Sequence, residues 1–308
     1  MARRKVRRNY DFLSKYSYYT PGLKGMFTLL CLMLAGTLLG NCVMLVCLSF
    51  PGGEQFTAEY GMLLSYPVMF VPAMIYASLK SGSAALFEEG YALDKGRFSP
   101  VGALMCCLMA ILGTLASSIV ADGAVGLLPP MPEWLEQALD SLVKGELWVN
   151  FLCASIMAPI FEEWLCRGMV LRGLLNYRRR DRAGNEVRGL KPSVAIIISA
   201  AFFALIHANP WQAIVAFSLG CLFGYVYYRT GSLKLTMLMH FTNNTFALLC
   251  SNLPAFEELD SWAQLLGTGR YLVLCAASIL MIVVAVRTFS KIALLRPQGN
   301  CALLEEQN

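Results

Sequence analysis

Charge is scarce in this chain. Asp, Glu, Lys and Arg make up 15% of its 308 residues and histidine occurs twice, whereas 57% of residues are hydrophobic and the mean hydropathy is +0.55. A soluble globular domain carries about a quarter charged residues, so the shortage excludes an ordinary soluble enzyme. The same composition excludes disordered, collagen-like and coiled-coil chains. Also missing are a CxxC pair, an HExxH helix motif and a GxSxG turn. Their absence removes the usual signatures of thiol redox, zinc-hydrolase and serine-hydrolase chemistry. Cysteine itself is plentiful at 11, but ten lie in apolar runs and read as small packing residues, with Cys301 alone in the tail.

What is abundant is apolar sequence in runs of about 20, the length that crosses a hydrocarbon core of about 30 Å as helix. Eight such runs fall near 25–50, 60–79, 101–121, 147–174, 193–208, 211–228, 233–250 and 270–288. The expected fold is therefore all-α, a single polytopic membrane domain over 1–308 with about eight transmembrane helices. Alternating the loops between two sides puts 21 Lys and Arg residues on one side and 2, Lys144 and Arg270, on the other. By the positive-inside rule both termini are cytoplasmic, with 1–24 as a retained basic tail. The net charge of +5 is then accounted for by topology and anionic inner-leaflet lipid, with no nucleic-acid partner. Between the third and fourth runs, 127–143 combines a proline start with Trp134, Leu135, Leu139 and Leu142 at helical spacing, which predicts a short interfacial helix.

Several ionisable residues stand where lipid should forbid them. The fourth run contains Phe161-Glu162-Glu163-Trp164-Leu165-Cys166-Arg167. A charge near mid-bilayer costs about 2.5–3.5 kcal/mol even on insertion scales, so these groups must face protein or water. Glu163 and Arg167, four apart, share a helical face and suit an ion pair. Glu162 points about 100° away and is left over, available as a general base. Both histidines, His207 and His240, lie in later apolar runs. His240 and Asn244 share a face, so both side chains can donate toward one point, as an oxyanion requires. Asn243 points elsewhere and is assigned no role. A Glu with two His can also bind zinc, but no helical ligand pair is present, and the reading carries no metal and no cofactor. One mismatch stands: helical rise from the inner loops places Glu162 and His207 about 22–24 Å deep but His240 only about 9 Å.

The segments EEWLCRGMVLRGLL at 162–175, FALIH at 203–207 and GCLFGYVYYRTGSLKLTMLMHFTNN at 220–244 resemble the three motifs of the CAAX protease and bacteriocin-processing family of intramembrane endopeptidases. The order and the EExxxR, FxxxH and HxxxN spacings agree, over a catalytic core at 150–250. Cys166 departs from a frequent aromatic and Lys234 from a bulky apolar residue. The resemblance implies a glutamic-type peptide hydrolase in which Glu162 and His207 activate water while His240 and Asn244 hold the oxyanion. It makes Glu163 and Arg167 a structural or substrate-orienting pair and lets Phe203 shape the pocket. The substrate would be a membrane-associated protein or peptide, and the setting a bacterial plasma membrane. The alternative of another class is a noncatalytic bacteriocin-immunity or scaffold protein of the same fold; a transporter is disfavoured because neither inverted repeats nor paired broken helices are found. On the protease reading, Glu162→Ala and His207→Ala each abolish peptide cleavage while leaving the protein inserted and folded, as a quenched-peptide assay beside a thermal melt would show; full activity in either variant ends the assignment.

Overall fold

The computed structural model describes residues 12–85, 93–143, 146–253 and 261–294. The first eleven residues of the basic tail, and Cys301, lie outside the described residues. The fold is all-α. Its helices are α1 (Leu23–Leu48), α2 (Gly53–Ala84), α3 (Ala103–Val125), the short α4 (Glu133–Val143), α5 (Leu147–Leu175), α6 (Pro192–Leu205), α7 (Pro210–Thr230), α8 (Leu233–Ser251), the short α9 (Trp262–Leu266) and α10 (Thr268–Ser290).

All eight apolar runs are helical, and α4 forms where a short helix was expected. Among the described residues six helices are long and apolar enough to cross a membrane: α1, α2, α3, α5, α7 and α10. The other two differ for identifiable reasons. Helix α6 has only 14 residues, because the chain turns after Leu205 instead of continuing to 208. Helix α8 has 19 residues, but Thr242, Asn243, Asn244 and Thr245 reduce its apolarity. Between α5 and α6 the basic loop forms an antiparallel hairpin of β1 (Arg178–Arg180) and β2 (Glu186–Arg188), which run periodicity did not foretell. Local turn chemistry makes it: Asp181 accepts from the amides of Ala183 and Asn185, both at 2.9 Å, and Gly184 takes φ +83°. Those amides, Asn185 foremost, hold the Asp181 carboxyl below the usual carboxylate range.

Close backbone approach sets the α1–α2 pair. Gly36 and Gly40 form a GxxxG pattern, and a Cβ at Gly36 would lie 2.1 Å from the Met69 carbonyl oxygen, one at Gly40 2.9 Å from that of Ser65. Helix α2 is thereby seated by its stretch 65–69, beside Pro67, which cannot donate to the Leu63 carbonyl.

The segment after the second helix accounts for the shallow position computed for His240. Residues 93–97 lie over the α7–α8 junction: Lys95 and Arg97 donate their amides to Gly231 O and Thr230 O, and Tyr227 Oη donates to Leu93 O. Gly231, at φ +66°, ends α7. Asp94 Oδ1 then accepts from Ser232 Oγ and the Leu233 amide, at 3.2 and 2.8 Å, meeting the first orphan donors of α8. Ser232 and Leu233 are buried, so α8 starts inside the protein instead of at its surface, and seven residues later His240 is buried too.

Because backbone atoms of α2 leave no room beside Gly36, Gly36→Leu should force the pair apart and destabilise the protein by about 1–3 kcal/mol. A lowered midpoint in a detergent thermal melt, with reduced activity, checks this.

Candidate active site

Helix α5 carries the two glutamates and is not a uniform α-helix. Phe151–Met157 and Trp164–Leu171 are π-helical, with a single α-helical stretch, Ala158–Glu163, between them. Such i→i+5 turns are rare and cluster at functional sites. In the first π stretch the Ala158 amide donates to Cys153 O. The next donor in that series would be residue 159, a proline, which has no amide to offer the Ala154 carbonyl. Asn244 Nδ2 of α8 donates to that carbonyl instead, at 2.8 Å.

Behind the site lies a buried charge cluster. Arg167 Nη1 and Glu163 Oε1 are 2.8 Å apart, with both side chains 0% exposed, so the i,i+4 pair read from the sequence is formed. The same Glu163 oxygen accepts from His240 Nδ1 at 3.1 Å. Arg167 also donates to Gly220 O at 3.3 Å, and its guanidinium lies 4.5 Å from the centroid of Phe203 and 5.3 Å from that of Phe223. A desolvated cation gains most from such aromatic faces, and a buried ion pair holds only when further hydrogen bonds and contacts of this kind are present. Cys166, beside Arg167, is buried and its carbonyl accepts from Ser199 Oγ of α6 at 2.9 Å. Lys234 is exposed and pairs with Asp94 Oδ2 at 3.3 Å. Both departures from the motif pattern thus lie off the site.

In front of the cluster opens a cavity of about 490 Å³ lined by Glu162, Phe203, His207, His240, Asn243 and Asn244, among others. The structure therefore brings the four residues selected as catalytic to one space. The imidazole next to Glu162 is that of His240, with Nε2 3.9 Å from Oε2, too long for a hydrogen bond. His207 reaches the cavity from the turn after α6, where Ala208 takes φ +57°. Its Nδ1 donates to Phe203 O at 2.8 Å, which fixes the orientation of the ring. Asn209 stabilises this irregular backbone, donating to His207 O at 3.0 Å and capping α7 through the Gln212 amide at 2.9 Å. Non-helical backbone at such a place is tolerated where it lines a cavity. The Phe203 ring stands edge-on to both imidazoles, at 5.0 Å from His207 and 5.5 Å from His240.

Two residues were missed from the sequence. Asn243, assigned no role, faces the cavity after all: Ser118 Oγ of α3 donates to its Oδ1 at 2.7 Å, and its Nδ2 donates to Asn244 Oδ1 at 2.9 Å. With the bond to Ala154 this fixes which way the Asn244 amide points. Tyr66 of α2 donates its hydroxyl to Glu162 Oε1. Its signal was faint: a tyrosine before a proline in an apolar run, 96 residues from its partner. Among the described residues no group of three or more His, Cys, Asp or Glu side chains is arranged to hold a metal ion.

A search of the curated proteins and one of the solved structures gave no match. A family model does match, over residues 144–246, and its description is type II CAAX prenyl endopeptidase Rce1-like. That stretch runs from the start of α5 through Asn244 and holds all three motifs and both histidines, so this third of the chain is similar to the Rce1-like CAAX endopeptidases that the model describes.

Proposed function

We propose that the protein is an intramembrane endopeptidase that hydrolyses a peptide bond in a membrane-associated protein or peptide by direct attack of water. The observation that carries the reading is the single cavity shared by Glu162, His207, His240 and Asn244, backed by a buried ion pair. A scaffold has no need of four convergent polar side chains in an apolar interior, where each must be desolvated.

Glu162 Oε2 takes a proton from water as its oxygen attacks the carbonyl carbon. His207 orients that water. Charge developing on the carbonyl oxygen is met by His240 Nε2–H and by the second Nδ2 hydrogen of Asn244, the first being spent on Ala154 O. Since Nδ1 of His240 already donates to Glu163, donation from Nε2 requires the ring to carry both protons. The proton on Glu162 passes to the leaving amide nitrogen as the C–N bond breaks, which returns the carboxylate and releases an acid and an amine.

The charge asymmetry of the loops supports cytoplasmic termini in a plasma membrane, and the short loops favour a bacterial one. The matching family's description names a prenyl endopeptidase, and the motif resemblance read from the sequence extends to bacteriocin-processing proteins. Lipidated and unlipidated membrane peptides are both candidate substrates, and a quenched-peptide library presenting each form in micelles separates them.

Loss of one oxyanion donor costs about 2.7–4 kcal/mol, so Asn244→Ala should lower kcat about 10²–10³-fold with little change in KM. Excess chelator should leave wild-type turnover intact. Activity lost to chelator and restored by zinc replaces the glutamate with a metal as the activator of water. Full complementation of the cellular phenotype by a Glu162→Gln variant that cleaves no peptide returns the protein to the noncatalytic class.

A further inference from the structure

Tyr66 makes the two oxygens of the Glu162 carboxylate unequal. Its hydroxyl donates to Oε1. Oε2 is buried, has no hydrogen-bond partner, and faces His240 Nε2 across 3.9 Å. A buried tyrosine hydroxyl ordinarily finds some acceptor. What sets this one apart is that its acceptor is the carboxylate beside the two motif histidines, and that it occupies only one of the two oxygens. A carboxylate with both oxygens free has two competing orientations for a water. With Oε1 engaged by the hydroxyl, Oε2 is the oxygen left without a partner, on the side of the imidazole.

The ring is held firmly enough to impose this choice. Tyr66 packs against Phe70 with centroids 5.6 Å apart, and Phe70 stacks on Phe161, the neighbour of Glu162, at 5.2 Å and 11°. From the other side α1 presses on α2 at Gly36 and Gly40, contacting the Met69 and Ser65 backbone that brackets Tyr66. Tyr66 therefore reaches Glu162 from a helix pair outside the segment that the family model matches.

We propose that Tyr66 is a positioning residue that, by occupying Oε1 of Glu162, presents Oε2 to the attacking water. The proposal rests on the reading of Glu162 as general base, and the experiment keeps the two apart. Full-length wild type, Tyr66→Phe, Glu162→Ala, Glu162→Asp and Tyr66→Phe/Glu162→Asp are compared on a peptide that wild type cleaves from the quenched library, with thermal melts alongside. Phe keeps the ring packing, so Tyr66→Phe should melt with wild type while kcat falls about 10–100-fold and KM stays within about twofold. In the Glu162→Asp background, where the shortened carboxylate has withdrawn from the hydroxyl, the same change should cost less than about threefold. An inactive Glu162→Ala beside a Tyr66→Phe of wild-type kcat overturns the positioning role and leaves the base standing. So does a Tyr66→Phe whose loss is undiminished in the aspartate background, which marks the hydroxyl as acting elsewhere. An active Glu162→Ala removes the base itself, whatever Tyr66 does.

Discussion

Two adjacent carboxylates in an apolar helix are the constraint from which the rest of this structure follows. Each would cost several kcal/mol if left in hydrocarbon, and a helix points neighbouring side chains about 100° apart. The protein treats them differently. Glu163 is neutralised in place by Arg167 and by His240, and that cluster is closed off by Phe203 and Phe223. Glu162 is given a cavity and a single hydroxyl. One acid ties helices together and the other lines the cavity; the difference is one of environment, not of residue type.

The cluster also explains the irregularity of α5. Its π-helical stretches re-aim successive side chains relative to a regular helix, and the chain between them has to satisfy carbonyls that lose their donors. Pro159 has no amide to offer the Ala154 carbonyl, and the amide of Asn244 takes its place. The same bond orients Asn244 and ties α8 to α5, so a backbone defect on one helix becomes the positioning device for a side chain on another. Asn243 and Ser118 extend the tie to α3. An amide held at both its oxygen and its nitrogen does not have to reorganise when charge appears on a carbonyl oxygen, which is the property that makes such a donor effective.

How much of this could be read from the sequence differs by residue. Glu163–Arg167 and His240–Asn244 were legible because helical geometry is short-ranged, so a spacing of four puts two side chains on one face whatever the fold does. The eight helices were legible because bilayer thickness dictates run length. The end of α6 at Leu205 was not, since the turn at 206–209 is stabilised by Asn209 contacts that no hydropathy window registers. The start of α8 was not legible for a related reason: the residues that cap it, 93–97, lie some 140 positions earlier in the chain. Tyr66 lay beyond any local rule, because its meaning depends on a contact across 96 residues.

That last contact bears on where the boundary of the catalytic unit falls. The motifs, the histidines and the matched segment all lie between 144 and 246, and α1 and α2 look by composition like plain membrane spans. Yet the glycine pair of α1 seats the very stretch of α2 that supplies the hydroxyl on Glu162, and Phe70 of α2 stacks on the residue preceding that glutamate. Arg172, near the end of α5, donates to the carbonyls of Tyr16 and Tyr19 just ahead of α1, so the two regions are joined at a second place. A motif segment lifted out of this chain would keep its ion pair and its histidines but lose the partner of Oε1, leaving Glu162 free to rotate. The first two helices are therefore part of the site's geometry, even though they contribute none of the residues that a motif search would find.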